Sequence, residues 1–183
     1  MTEPVARTKM PESVAERVRR ISRYLYAAIG LLVLVGDQLT KALVVDSIPE
    51  HAIVPVIPHF LNLTHISNTG AAFGLFSDSP SPWKTVLLIF ISAALLLAVV
   101  SFVWRVRRLQ WEAGVGLALI MGGAFSNLLD RIRAGRVIDF LDVYLRSYHW
   151  YTFNLADSAI VVGAGFLVLQ VAFTESSHDG RAA

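Results

Sequence analysis

The sequence predicts a membrane protein of four transmembrane helices, with a small β-rich element in its first outer loop. Hydrophobic residues fill 55% of the 183 positions and charged residues only 16%, whereas about a quarter of a soluble domain is charged. Four apolar stretches are long enough to cross a bilayer of roughly 30 Å. A stretch rich in β-branched residues, AIVPVIPHFLNLTHI, separates the first two. The chain has no cysteine, which excludes disulfides and thiolate ligands.

The four apolar stretches cover about 24–45, 86–104, 113–129 and 159–173. The last two are short for a bilayer, so we expect their helices to continue into the flanking polar residues. The first follows a basic segment, as the apolar region of a signal peptide does. It is longer than such a region, however, and no small-residue cleavage site follows it. We interpret it as a retained signal anchor.

The stretch at 52–66 predicts short strands, because β-branched residues dominate it and apolar and polar residues alternate from Leu61 to Thr64. Pro55 and Pro58 lack the N–H that a central strand donates to its neighbour. Edge strands are therefore expected in this part of the loop.

The distribution of basic residues predicts the orientation in the membrane. Six lie before the first helix and three follow the second, whereas the 46–82 loop has none. Because Lys and Arg favour the cytoplasmic side, both termini are predicted to be cytoplasmic, and the loops 46–82 and 134–153 to lie outside. The basic residues on or near the outer side, which the N-terminal six outweigh, are Arg131, Arg133, Arg136 and Arg146.

We divide the chain into a cytoplasmic N-terminal extension (1–20), a four-helix membrane domain (21–173) and a cytoplasmic tail (174–183). Within 12–23, apolar residues share one helical face among arginines. This pattern fits a helix lying on the anionic inner leaflet or a solvated basic tail. The C-terminal ESSHDGRAA has the character of a disordered tail. A net charge of +2 gives no reason to expect nucleic-acid binding.

Two features of the helices predict how they pack. Asp37 and Lys41 lie four residues apart near the outer end of the first helix, which fits a structural ion pair. Small residues four apart let helices approach closely, and they occur in the third and fourth helices. These pairs are Ala118 with Gly122 and Ala159 with Gly163.

Polar residues converge on one layer at the outer ends of the helices. Helix capping explains one of them, such as an aspartate in the first turn of the fourth helix, but not the whole set. The set consists of Asp37, Asn68, Asn127, Asp130, Asp139, Asp142, Asn154 and Asp157.

Two carboxylates are the chemical option that these residues support. The histidines show no helix-spaced ligand motif and no serine nucleophile elbow is present, so neither a metal nor a cofactor is expected. Two carboxylates close together in a low-dielectric site share a proton. The charged one activates a water and the protonated one donates to a carbonyl oxygen, as in an aspartic protease. The candidates are Asp130, Asp139, Asp142 and Asp157, and the residues alone do not choose the pair.

Two other classes of function are compatible with polar residues in a membrane protein. A small transporter or proton channel also places Asp, Asn and Lys within the bilayer. The middles of helices two, three and four are apolar, however, so no polar path crosses the membrane. A scaffold that binds a partner through its outer loop would show no proteolysis.

Five blocks of this sequence resemble the family of bacterial lipoprotein signal peptidases, also called signal peptidase II. They are DQLTK (37–41), NTGAAFG (68–74), SNLLDR (126–131), GRVIDF (135–140) and FNLAD (153–157). Each block alone is weak, but their order and the 18-residue step from Asp139 to Asp157 are specific. The resemblance covers roughly residues 20–173.

The resemblance implies a bacterial inner-membrane aspartic endopeptidase with its active site near the outer leaflet. Such enzymes cleave the signal peptide from lipid-modified prolipoproteins, on the N-terminal side of the diacylglyceryl-cysteine. The 46–82 loop would form the β-rich cradle of the family beside the membrane. The implied partners are these prolipoproteins and membrane lipids, and a monomer is expected.

The resemblance also implies roles for individual residues. It makes Asp139 and Asp157 catalytic, gives Asp142 no catalytic position, and leaves Asp130 to a structural pairing with Arg131. The implied supporting residues are Asp37, Lys41, Asn68, Asn127, Asp130, Arg131 and Asn154.

Overall fold

The structure is a computed structural model that describes residues 12–70, 82–105 and 110–179. The AAFG part of the second block, the turn after the second helix and the first eleven residues lie outside the described residues. The elements in chain order are α1 (Glu12–Ser47), β1 (Ile53–Ile57), β2 (Leu61–Asn68), α2 (Pro82–Arg105), α3 (Trp111–Ala134), β3 (Val137–Leu145), β4 (Tyr148–His149) and α4 (Leu155–Asp179).

Among the described residues, three helical segments are long and apolar enough to cross a membrane: Arg20–Ser47, Trp83–Ser101 and Trp111–Ala134. The fourth helix carries a shorter apolar stretch, Leu155–Val171. Both α3 and α4 extend beyond their apolar stretches into polar residues, as predicted.

The first and last parts of the chain that the structure describes are both helical. The basic segment 12–23 forms the first turns of α1 and continues directly into the apolar part of that helix. The predicted disorder from residue 175 is wrong as far as Asp179, because α4 runs on to that residue. A helix that is already formed extends easily into polar residues, since only its first turn is costly to start.

The strands form one antiparallel sheet in the order β1-β2-β3-β4. The strands predicted between the first two helices are present as β1 and β2, and the connection between α3 and α4 contributes two further strands, β3 and β4. The prediction of an edge strand is confirmed for β1, which contains Pro55. The second strand is internal and pairs on both sides, with β1 and with β3.

A small apolar core joins the sheet to the C-terminal end of α1. Val44 of α1 and Ile48, the residue after its end, pack against Phe140 of β3, and all three side chains are buried. Leu63 of β2 and Ile138 of β3 complete this contact. The third strand is therefore held against the end of a helix, which gives its polar side chains a defined position.

The third helix packs against each of the other three helices. Two glycine contacts show how close these helices come. A Cβ on Gly122 would lie 2.5 Å from the carbonyl oxygen of Gly30 in α1, and a Cβ on Gly163 would lie 2.5 Å from that of Gly116. The prediction of close approach at these small residues is confirmed, and it brings the polar ends of α1, α3 and α4 together.

Candidate active site

Asp139 and Asp157 are joined through one asparagine. Asp139 lies on β3 and Asp157 lies in the first turn of α4. The side-chain amide of Asn154 donates to Oδ1 of Asp139 at 2.7 Å, and its backbone N–H donates to Oδ2 of Asp157 at 3.3 Å. The two aspartates, which are 18 residues apart in sequence, therefore share a single neighbour.

Asn154 and Asp157 form a reciprocal cap at the start of α4. The backbone N–H of Asp157 donates to Oδ1 of Asn154 at 2.9 Å, while Oδ2 of Asp157 accepts from the backbone N–H of Asn154. This is the capping-box arrangement, with an aspartate where glutamate is usual. Asp157 therefore caps the helix through Oδ2, as the sequence predicts. Its other oxygen, Oδ1, is not part of the cap and faces Asn127.

Each of the two aspartates accepts a second N–H bond from another asparagine. Asn68 Nδ2 donates to Oδ2 of Asp139 at 2.8 Å. Asn127 Nδ2 donates to Oδ1 of Asp157 at 2.8 Å. Both oxygens of both carboxylates are thus engaged by N–H donors, which favours the charged form of each.

All three asparagines have their amide groups oriented by a donor on the carbonyl side. Oδ1 of Asn68 accepts from the backbone N–H of Gly70 at 2.8 Å. Oδ1 of Asn127 accepts from Lys41 Nζ at 2.9 Å, and Oδ1 of Asn154 accepts from the N–H of Asp157. An ammonium or a backbone N–H cannot accept a hydrogen bond. The NH2 group of each asparagine must therefore face an aspartate.

Lys41 also lies at the centre of a buried ion cluster. Its Nζ is 2.6 Å from Oδ2 of Asp37 and 2.6 Å from Oδ2 of Asp130. The predicted ion pair between Asp37 and Lys41 is confirmed. Lys41 side-chain exposure is only 5%, so its charge needs these partners to offset its loss of water.

The predicted pairing of Asp130 with Arg131 gives way to the contact with Lys41. Adjacent helix residues diverge by about 100°, so neighbours in sequence do not face each other. The Arg131 guanidinium instead donates to the carbonyl oxygens of Asn127 at 3.4 Å and Gly70 at 3.3 Å. It thereby joins α3 to the turn that follows Asn68.

Asp37 supports the start of α4 from a different helix. Its Oδ1 accepts from the backbone N–H of Ala156 at 2.9 Å, and its Oδ2 accepts from Ser126 Oγ at 2.7 Å. Asp37 and Ser126 are both fully buried. This carboxylate therefore holds α1, α3 and α4 together one residue before Asp157.

Two residues of this support are absent from the set implied by the sequence. Ser126 donates to Asp37, and Gln38 Nε2 donates to Ser126 Oγ at 3.0 Å and to Oδ1 of Asp130 at 2.7 Å. The role of Ser126 could have been predicted from its spacing, because it lies one helical turn before Asp130 on the same helix face.

Burial changes the acid–base behaviour of Asp139, whose side chain lies on β3 outside the helices. The residue is only 2% exposed, and this burial raises its pKa from 3.8 to about 6. The hydrogen bond from Asn68 lowers the pKa, while the nearby charge of Asp157 raises it further. Asp139 therefore holds a proton more readily than an ordinary aspartate does.

Asp142, the remaining acidic candidate, lies apart from this cluster. Its oxygens interact with Asn62 Nδ2 and His149 Nδ1, each at 2.8 Å. Asp130 belongs to the ion cluster around Lys41. Of the four candidate acids, the structure brings Asp139 and Asp157 together around Asn154.

Comparisons with known proteins show the family of this chain. A family model described as signal peptidase (SPase) II matches residues 29–173. A protein of Solibacter usitatus named lipoprotein signal peptidase is 41% identical over 143 residues, which cover 78% of this chain and 87% of the relative. A protein of the same name from Xylella fastidiosa (strain M12) is 42% identical over 159 residues, covering 86% and 93%.

Solved structures show the same fold. One, described as a bacterial membrane enzyme, superimposes with a TM-score of 0.76 at 30% identity and covers 84% of this chain and 90% of its own. A second, with the same description, has a TM-score of 0.71 at 31% identity and covers 80% and 92%. With most of the chain matched by the family model and by relatives above 40% identity, the protein belongs to the signal peptidase II family.

Proposed function

We propose that this protein is a membrane aspartic endopeptidase that removes the signal peptide from lipid-modified prolipoproteins. The cut lies on the N-terminal side of the diacylglyceryl-cysteine. The names of the relatives support the substrate class. The observation that supports the chemistry is the bridge by Asn154, which donates hydrogen bonds to the carboxylates of both Asp139 and Asp157.

In the proposed mechanism, Asp157 is the ionised member of the pair. It lies in the first turn of α4, where the positive end of the helix dipole favours a negative charge. It also accepts N–H bonds from Asn127 and from the backbone of Asn154. The charged carboxylate of Asp157 takes a proton from a water, which then attacks the carbonyl carbon of the scissile peptide bond.

Asp139 is the protonated member in this mechanism. Its burial and its raised pKa of about 6 favour the neutral acid next to a charged neighbour. The protonated carboxyl donates to the oxygen of the scissile carbonyl and stabilises the charge that develops there. When the C–N bond breaks, the proton that Asp157 took from the water passes to the leaving amine, so Asp157 is charged and Asp139 is protonated again.

The supporting residues keep the two carboxylates in place. Asn68, Asn127 and Asn154 supply donors whose orientation is fixed by their own partners. Asp37 and Lys41 link the ends of three helices around them. Groups held this way need little reorganisation during the reaction, which is the main source of electrostatic catalysis.

We also propose that the chain crosses the bacterial inner membrane four times, with both termini in the cytoplasm. The strands lie between α1 and α2 and between α3 and α4 in the chain, and they form one sheet. Both connections therefore belong on the same side. The apolar stretch of α4 is about 25 Å long at about 1.5 Å per residue, close to the bilayer core. The absence of Lys and Arg from 46–82 favours the outer side for the sheet.

This topology corresponds to a cytoplasmic extension (1–20), a membrane peptidase domain (21–173) and a cytoplasmic tail (174–183). It puts the aspartates near the outer leaflet, while the apolar faces of the helices contact membrane lipids. One chain supplies every residue of the proposed site, so a monomer suffices for activity. A transporter is not favoured, because the polar cluster lies at one end of the helices.

The test is cleavage of a lipidated prolipoprotein by the purified protein in detergent micelles, with mass spectrometry of both products. We expect a single cut directly before the lipidated cysteine. The matched control is the same precursor without its lipid, which should be cleaved poorly. Absence of cleavage by well-folded protein would contradict the proposed function.

A further inference from the structure

A second buried carboxylate on β3 is not used by the pair of aspartates. Asp142 is only 5% exposed. Its Oδ2 accepts from Asn62 Nδ2 of β2, and its Oδ1 lies 2.8 Å from Nδ1 of His149 of β4. An ionised carboxylate only accepts hydrogen bonds, so Nδ1 of His149 carries the hydrogen. Asp142 thereby joins three strands.

His149 is also held from the side by an aromatic ring. The imidazole stacks on the ring of Tyr144, with 4.9 Å between the centroids and 9° between the planes. The hydroxyl of Tyr144 in turn accepts from the backbone N–H of His59 at 2.9 Å. Fixing a side chain that is 51% exposed costs conformational entropy, which these contacts must offset.

The segment that follows His149 leads directly to the proposed site. Trp150 N–H donates to the carbonyl of Val143 at 2.8 Å. Phe153 then exchanges backbone hydrogen bonds with Leu141, at 3.1 Å and 2.8 Å. The next residue is Asn154, whose amide donates to Asp139. The position of Asn154 relative to β3 therefore depends on this return segment.

The return segment, 150–153, carries one residue more than the part of β3 that it faces. Between the two sets of backbone bonds, β3 advances two residues, from 143 to 141. The return segment advances three residues, from 150 to 153. One extra residue is accommodated there, as in a β-bulge. The strand before it, β4, has only two residues. So short a strand holds its register weakly unless side chains support it.

We propose that His149 and Asp142 are positioning residues for the active site. Their hydrogen bond fixes the start of the return segment. The extra residue in that segment then does not shift Asn154 away from Asp139. This inference rests on the proposed function, since it names residues that set the geometry of the proposed pair. Neither residue takes part in the chemistry itself.

Three substitutions at one position test the inference. His149→Phe keeps a ring against Tyr144 but removes the Nδ1 donor. His149→Asn restores a donor at the place of Nδ1, whereas His149→Gln puts it one bond further out. The matched control is Tyr148→Phe, which changes an exposed residue of the same strand.

Two readouts apply, at matched amounts of folded protein. In cleavage of lipidated precursor, we expect His149→Phe to lower kcat by about tenfold with KM changed by less than roughly twofold, because misplaced groups slow the chemical step. In hydrogen exchange, the segment 153–157 should exchange faster in this variant. His149→Asn should restore both readouts, and His149→Gln should not.

A purely structural role would lower thermal stability without this pattern. Wild-type kcat and wild-type exchange in His149→Phe would overturn the inference, as would equal recovery by Asn and Gln. If the wild type does not cleave the precursor, the proposed function fails. The exchange readout still decides whether His149 positions Asn154.

Discussion

The replacement Asp157→Asn separates the role of Asp157 as a helix cap from its proposed role in catalysis. Oδ1 of Asp157 accepts from Asn127 Nδ2 at 2.8 Å, and Oδ2 accepts from the backbone N–H of Asn154 at 3.3 Å. An asparagine offers one acceptor oxygen and one NH2 group. In either orientation, the NH2 group meets an N–H donor and one of the two bonds is lost.

The neighbours cannot turn to accommodate the substitution. Lys41 holds the carbonyl side of Asn127 at 2.9 Å, and the N–H of Asn154 belongs to the backbone. The variant should therefore keep the shorter bond to Asn127 and lose the longer one. Losing a hydrogen bond to a charged group costs about 1.5–3 kcal/mol. Removing a half-buried charge beside Asp139 offsets part of this, so the free energy of unfolding should fall by about 1–2 kcal/mol.

For a chain of this length, such a loss lowers the melting temperature by roughly 3–6 °C. The effect on cleavage should be much larger, because a general base contributes about 10²–10⁴-fold to the rate. The assay compares cleavage of lipidated precursor at matched amounts of folded protein, alongside thermal melting in the same detergent. The control is Asp46→Asn, the same change at an exposed residue near the end of α1. Cleavage by Asp157→Asn at the wild-type rate would leave Asp157 as a cap only and refute the mechanism.

Three further changes test the electrostatics and the topology. Asn68→Ala removes a hydrogen bond that lowers the pKa of Asp139, so this pKa should rise. The alkaline limb of kcat/KM should then move to higher pH, since the shared proton is retained longer, and an unmoved or lowered limb would contradict this assignment. Asp37→Asn and Lys41→Met should show a coupling of roughly 1–3 kcal/mol in a double-mutant cycle on stability, whereas additive losses would rule out the ion pair. Asp130 keeps an unmatched charge in the double variant, so stability should recover only in part. Single cysteines replacing Glu16 and Tyr148, both exposed, should label from opposite sides of the membrane, and labelling from one side would refute the four-span topology.

The helices could be predicted from the sequence because their cause is local. A long apolar segment in a bilayer must satisfy its backbone hydrogen bonds within itself, and only a helix does so. The small-residue spacing around Gly122 and Gly163 is also a local signal, and its consequence was predicted correctly. The C-terminal end of α4 was predicted less accurately. The helix continues through polar residues that carry no hydropathy signal.

The sheet could be predicted only in part, because its pairing is not local. The second strand pairs with the third across more than seventy residues, as in the match of Ile66 with Asp139. The alternation of apolar and polar residues within 137–145 indicates a strand but does not show which strand it pairs with. The same limit applies to Asp130, whose partner is Lys41, 89 residues away. The neighbouring Arg131 looks like the natural partner in sequence but faces another direction.

The polar residues of the site were predicted from the sequence, but the direction of their hydrogen bonds depends on the structure. An asparagine in a sequence is equally able to donate or to accept. Asn127 becomes a donor to Asp157 because Lys41 occupies its carbonyl oxygen. Asn154 becomes a donor to Asp139 because the N–H of Asp157 occupies its own. The donors around the two carboxylates are thus oriented by the groups that bind the other side of each asparagine, Lys41 and the backbone N–H of Asp157.

The cap at the start of α4 and the proposed chemistry are therefore not competing explanations of Asp157. The cap uses the backbone N–H of Asp157 and its Oδ2, while Oδ1 faces Asn127. Because Asn154 accepts from that backbone N–H, its amide must turn its NH2 group towards Asp139. Forming the first turn of α4 thereby sets the relative position of both aspartates. A helix N-terminus also stabilises the negative charge that Asp157 requires in its proposed role as a base. The same hydrogen bonds that begin the helix thus orient the pair proposed to cut the substrate.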